Sequence, residues 1–206
     1  MTDNSDIETL IKNSFKELLN IGWEDSIEKN TKYRLISPKY YHGDNAGQKR
    51  ISEQELRFLM TRKLEEENIY YSVEAPTKKK YAFTGEDENS RSGLVDLCLH
   101  NSEGKRTALI ELKNKGRISE ISKDLEKLLF DLETEYNYFI HLDSSKSKKI
   151  DAIKTEYETA LKEAKDSRLE EKIAAGVKIF LFVIREKTIY KCEISKDGKI
   201  GELSKL

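Results

Sequence analysis

Residues Arg91 to Lys113 read RSGLVDLCLHNSEGKRTALIELK, two apolar runs joined by a polar turn. In Leu94 to His100 a period of two puts Leu94, Asp96, Cys98 and His100 on one face and Val95, Leu97 and Leu99 on the other, the pattern of a strand. Thr107 to Lys113 alternates likewise. Between them Asn101, Ser102 and Gly104 supply turn chemistry, because glycine accepts positive φ and Asn and Ser bond back to nearby backbone. The stretch therefore predicts a hairpin. With Ser102 to Lys105 as its loop, Asn101 faces Arg106, and counting outward by two sets Asp96 opposite Glu111 on one face, with Lys113 following.

Two carboxylates in a mostly apolar strand pair are costly to bury without a cation or hydrogen bonds, and opposed like charges repel. A divalent metal would resolve both problems. Oxygen ligands of this kind suit Mg²⁺ or Mn²⁺, with Lys113 turned toward a water or a phosphate beside the ion. The competing reading is a solvated carboxylate pair on an edge strand. Glu-x-Lys by itself is cheap in this chain, since it begins at Glu103, Glu111, Glu163 and Glu170. Only Glu111 lies in an apolar run with an aspartate one hairpin strand earlier, so the context carries the signal.

The 206 residues suit one globular unit with a real core, and no repeat or Pro/Gly/Ser-rich linker divides them. Within that unit, residues 1–50 are expected to form an N-terminal helix and an arm packing on the core formed by residues 51–206. With 36% charged and 37% hydrophobic residues the chain predicts helices with well-solvated faces, while ten Tyr and seven Phe argue against disorder. The start, MTDNSDIETL, has no basic segment followed by an apolar one, and no apolar stretch approaches the roughly 20 residues a bilayer requires. A soluble, cytoplasmic protein without membrane partners is the expectation. Cys98 and Cys192 sit in apolar strand contexts and read as buried reduced thiols.

A net charge of −1 lacks the basic surplus of a free-standing, strong DNA binder. The basic residues are instead grouped: Lys78 to Lys80, Arg91, Lys105 with Arg106, Lys113 with Lys115 and Arg117, and Lys146 with Lys148 and Lys149. Several flank the acidic pair, and the last group reads as solvated surface.

Outward from the hairpin, apolar spacing predicts a helix from about Asp6 to Asn20, then an aromatic arm or binding loop over Trp23 to Gly47. Ser52 as N-cap with Glu55 at the third helical position opens a helix to about Glu67. Glu53 shares a face with Leu56, Met60 and Leu64, so it is either a capping charge or a group aimed at the buried side. Ile69 to Ala75 is a strand ended by Pro76, followed by a polar turn over Thr84 to Ser92. After the hairpin come a helix from Ile118 to Glu133, a strand from Tyr136 to Leu142, a long helix from Lys148 to Ala175, and strands over Val177 to Arg185 and Thr188 to Ile194. Three strands, a helix crossover and a fourth strand imply a mixed α/β (α+β) sheet flanked by helices.

Helix glutamate, strand, strand aspartate, Glu-x-Lys in the next strand and then a helix is an order that resembles the PD-(D/E)XK nuclease superfamily. The resemblance runs from about Ile51 to Leu142, through SEQELRFLMTRKLEEENIYYSVEAP, SGLVDLCLH, ALIELKNK and ISEISKDLEKLL. It implies a restriction-endonuclease-like αβββαβ core and a Mg²⁺-dependent enzyme, with Mn²⁺ able to substitute, that hydrolyses nucleic-acid phosphodiesters, DNA above all, in defence, restriction or repair. Carried over, Asp96 takes the place of the motif aspartate, Glu111 the second acidic position and Lys113 the lysine, and Glu53 resembles the helix glutamate. Asp96, Glu111, the Leu112 carbonyl and Glu53 would hold metal. Val95 stands where the motif has proline, and Lys123 and Lys127 fall where relatives turn a polar residue toward DNA. The alternative is a non-catalytic module of the same fold that binds nucleic acid or a protein. A homodimer or a partner protein supplying DNA affinity would fit the near-neutral charge.

Overall fold

The computed structural model describes residues 4–23, 35–43, 46–47, 50–81, 91–143, 149–169 and 171–206. It divides into two compact units, Met1–Asn68 and Ile69–Leu206. The expected arm over Trp23 to Gly47 and the Thr84 to Ser92 turn fall largely outside the described residues.

In the first unit, α1 (Asn4–Asn20) buries Ile7, Leu10, Ile11, Phe15 and Leu18, the stripe its spacing predicts. Two short strands, β1 (Gly22–Trp23) and β2 (Ile36–Ser37), pair in parallel. The second helix, α2 (Glu53–Glu66), starts where the capping pattern places it: the Ser52 N–H and hydroxyl both donate to the Glu55 carboxylate. Lys63 of α2 reaches Glu17 of α1 at 2.7 Å.

Among the described residues the second unit is one mixed sheet of seven strands with two helices. Strands β3 (Tyr70–Tyr81), β4 (Arg91–His100) and β5 (Arg106–Asn114) run antiparallel. Then α3 (Ile118–Phe130) crosses to β6 (Tyr136–Asp143), parallel to β5, and α4 (Ile150–Asp166) crosses to β7 (Gly176–Val183), parallel to β6. Antiparallel β8 (Thr188–Ile194) and β9 (Ser204–Lys205) close the order β3-β4-β5-β6-β7-β8-β9. Two successive crossovers that step the same way along a sheet put both helices on one face. The core on that face joins Leu109, Phe139, Ile179 and Leu181 to Ile121, Leu125 and Leu128 of α3 and Tyr157 and Leu161 of α4. On the opposite face Ile110, Leu112, Tyr138, Ile140, Phe180 and Phe182 are equally buried. This is why the central strands read as unbroken apolar runs.

Several boundaries differ from expectation, α3 among them, which ends at Phe130 rather than Glu133. β3 does not end at Pro76 but runs through it to Tyr81; it is the edge strand, where a missing N–H is tolerated, and its pairing with β4 shifts between Pro76 and Lys80. β4 begins at Arg91 rather than Leu94, so Arg91 and Ser92 belong to the strand. The helix expected to reach Ala175 stops at Asp166 although no breaker precedes Gly176. Tertiary bonds override its propensity: Arg168 pairs with Glu126 and Glu171 and donates to the Lys80 carbonyl, while the Ala174 and Ala175 N–H groups donate to the Leu129 carbonyl.

Asn137, fully buried in β6, knits three elements. It accepts from the Leu109 N–H (2.9 Å) and donates to the Leu128 carbonyl (2.6 Å). Asn137→Leu would leave both backbone groups without a partner, so a loss of about 2 to 4 kcal/mol in urea unfolding is expected. A loss below about 1 kcal/mol would show that these bonds do not hold the strand and helix together.

Candidate functional site

The hairpin sets the site. Its loop is tied by Asn101, whose side chain accepts from the N–H groups of Glu103 and Lys105, and Gly104 takes φ +76°. His100, not Asn101, faces Arg106. Continued unchanged, that register would turn Asp96 and Glu111 to opposite faces. Leu99 faces Ala108, however, so Thr107 is an extra residue in a bulge. Beyond the bulge Leu97 faces Ile110, which brings Asp96 level with Glu111 as the sequence predicts.

Glu111 and Lys113 stand level with Phe139 and His141 of β6, on the face that α3 covers. Covering this face gives the site two members that the sequence reading did not assign to it. Lys113 Nζ lies 2.9 Å from Asp124 Oδ2, and Lys127 Nζ lies 2.9 Å from Asp124 Oδ1 and in contact with Glu111 Oε1. Lys127 also donates to the Leu94 carbonyl at 3.0 Å. Expected to turn toward DNA, Lys127 instead turns inward, with its side chain 14% exposed. The signal for Asp124 was present: it is one turn from both Ile121 and Leu128, on the border of the apolar stripe, where a carboxylate needs a partner. Asp96, half-buried, accepts the Leu112 N–H at 2.7 Å. Since the N–H and C=O of a strand residue project to the same side, the Leu112 carbonyl faces the same gap.

Glu111 is 4% exposed. Burial pushes its carboxyl well above the usual carboxylate range, the Asp124 and Asp96 charges push the same way, and Lys127 opposes them. For Lys127, burial disfavours the ammonium, but the Glu111 and Asp124 carboxylates outweigh it and hold the group charged more firmly than an ordinary lysine. A pocket of about 570 Å³ opens on this cluster, lined by Lys113, Asp124 and Lys127 and by Tyr81, Gly93 and Lys123. Two of the lining residues, Tyr81 and Glu126, are held by Arg168, which lies 4.7 Å from the Tyr81 ring centroid and pairs with Glu126.

Glu53 is half-buried at the start of α2 and belongs to the first unit; Glu55, 8% exposed, is the glutamate of the capping box. Cys98 and Cys192 are free and buried, with thiols pushed up by burial to about 11 and about 12, and take no part in the cluster. Among the described residues no three Asp, Glu, His or Cys side chains are gathered as a ready metal site. What the cluster holds is three carboxylates, Asp96, Glu111 and Asp124, against two ammonium groups, Lys113 and Lys127. That surplus of negative charge among oxygen donors fits a hard divalent cation. Among the described residues no helix is long and apolar enough to cross a membrane. Compared with models of protein families and with curated proteins, the chain matches none.

Proposed function

We propose that the protein is a metal-dependent nuclease of the PD-(D/E)XK, restriction-endonuclease-like kind, hydrolysing phosphodiester bonds of nucleic acid, DNA above all, in a defence, restriction or repair setting. The observation that carries this reading is the nearly buried Glu111 carboxylate, level with Asp96, two residues before Lys113 and in contact with Lys127, which lines a pocket together with Lys113 and Lys123. Asp96, Glu111 and the Leu112 carbonyl would hold Mg²⁺, or Mn²⁺ in its place, and Glu53 joins them only through the family resemblance. A bound ion would supply positive charge where attack on a phosphodiester builds negative charge, and would lower the pKa of a water.

The chain's own residues do the rest. Lys113, held by Asp124, presents an ammonium on the lining of the pocket, where it would orient the attacking water against the phosphate. Lys123 lines the pocket and offers the phosphodiester a second positive charge. The net charge of −1 makes weak, salt-sensitive DNA binding the expectation for the isolated chain, with a second copy or a partner protein adding affinity.

One observation favours a second reading, a non-catalytic module of the same fold: the Lys127 ammonium already stands between Glu111 and Asp124 as a counter-ion. Incubation with supercoiled plasmid and with single-stranded DNA, in Mg²⁺, Mn²⁺ or EDTA and beside Asp96→Ala, separates the two. Cutting that needs metal and Asp96 supports the nuclease. Absence of cutting on both substrates, in a protein whose thermal midpoint Mn²⁺ leaves unchanged, favours the module.

A further inference from the structure

We propose that Asp124 is a third carboxylate of the cation site and that Lys127 is its resident cation, seated between Glu111 and Asp124 until a divalent ion displaces it. This rests on the metal reading above and adds two residues from α3 to it.

Three oxygens surround Lys127 Nζ: Glu111 Oε1 in contact, Asp124 Oδ1 at 2.9 Å and the Leu94 carbonyl at 3.0 Å. An ammonium has three protons to donate, so this shell of two carboxylates and a backbone carbonyl saturates it. The same set of donors is what a hard divalent ion takes. Both acids are shared, because Asp124 gives its other oxygen to Lys113 at 2.9 Å and Glu111 feels the Asp96 charge. An ion among Asp96, Glu111 and Asp124 would therefore meet the Lys127 ammonium at the same oxygens. Two like charges cannot share them at that range.

The fold leaves the ammonium a way out. The aliphatic stem of Lys127 runs along the backbone of Gly93, where a Cβ would stand 3.2 Å from Lys127 Cδ; any larger residue would crowd it. The stem also lines the pocket of about 570 Å³. Rotation about its side-chain bonds would carry the ammonium from the carboxylates into that pocket, where it would meet the phosphate of a bound strand. Ion entry and phosphate binding are thereby coupled through one side chain. In the resting protein the same side chain neutralises a centre that would otherwise hold buried like charges.

Titration of Mn²⁺ into the purified full chain, by calorimetry and by loss of the free-ion paramagnetic signal, tests the proposal. Lys127→Gln is expected to bind Mn²⁺ at least about tenfold more tightly than wild type, and Asp124→Asn at least about tenfold more weakly. Were Asp124 only a seat for Lys127, its loss would free the acids and tighten binding instead. Equal or weaker binding by Lys127→Gln, or equal or tighter binding by Asp124→Asn, overturns the proposal. Lys127→Gln takes the ammonium from the buried Glu111 carboxylate, while Asp124 keeps Lys113, so its far-UV circular dichroism is followed with and without Mn²⁺. Folding restored by Mn²⁺ supports the proposal, and an unfolded chain that Mn²⁺ does not rescue overturns it. Asp96→Asn keeps the two readings apart. If wild type binds Mn²⁺ through Asp96 while Lys127→Gln gains nothing, only this inference fails; if neither wild type nor any variant binds Mn²⁺, the metal reading fails with it.

Discussion

Lys113→Ala is expected to lower metal-dependent DNA cleavage by about 10²- to 10³-fold, the cost of removing one group that stabilises or orients charge in a transition state. The fold should be untouched. Lys113 lies near the half-buried end of β5 with its side chain 23% exposed, so water reaches its ammonium beside Asp124. Its loss also leaves Asp124 with Lys127, so no buried charge is stranded. Plasmid cleavage and the urea midpoint, read on the same preparation, decide the matter. Cleavage at the wild-type rate would remove Lys113 from the chemistry. A collapse in stability would mean that its stem, packed against the turn at Gly116, holds the end of β5 and that the activity loss says nothing of mechanism.

The order of helices and strands was legible because each central element obeys one period. β5, β6 and β7 are buried on both faces and read as apolar runs, and α3 shows a full stripe from Ile118 to Leu129. The alignment of Asp96 with Glu111 was legible too, although by a different path. The loop is one residue out of the expected register and the bulge at Thr107 corrects it, and such a bulge leaves no mark in a sequence that simply alternates. Asp124 and Lys127 were harder to assign. Charged residues three apart on a helix are common as solvated pairs, and only the crossover that lays α3 over β5 turns this pair inward. Asn137 was invisible for a related reason: its partners, Leu109 and Leu128, lie in two other elements, so nothing local marks it. The end of α4 was misread because the helix propensity past Asp166 is real and is overridden by bonds that Arg168 makes to Glu126 of α3 and the Lys80 carbonyl of β3.

Glu111→Gln is the change in which stability and function should part. The carboxyl is 4% exposed, and its proton is held more tightly in the folded chain than in the unfolded one because burial, then Asp124, then Asp96 disfavour the charge. A folded pKa above the unfolded value gives stability that is full below the ordinary glutamate pKa, about 4.3, and is lost as pH rises through the folded value. Wild type should therefore lose stability with rising pH across that window, and Glu111→Gln, which has no such proton, should lose that part of the slope. Above the window the variant should be at least as stable as wild type: its amide oxygen still accepts from Lys127, which keeps Asp124 as its ion partner. Cleavage and Mn²⁺-dependent stabilisation should both disappear, because the ion needs a carboxylate and the amide cannot supply one. Urea unfolding at intervals from about pH 4 to about pH 8, with and without Mn²⁺, gives both readouts. A variant that unfolds more easily than wild type at neutral pH would mean that the Glu111–Lys127 contact holds α3 to the sheet. The buried carboxylate would then be a structural strut, and the surplus negative charge would no longer argue for a cation.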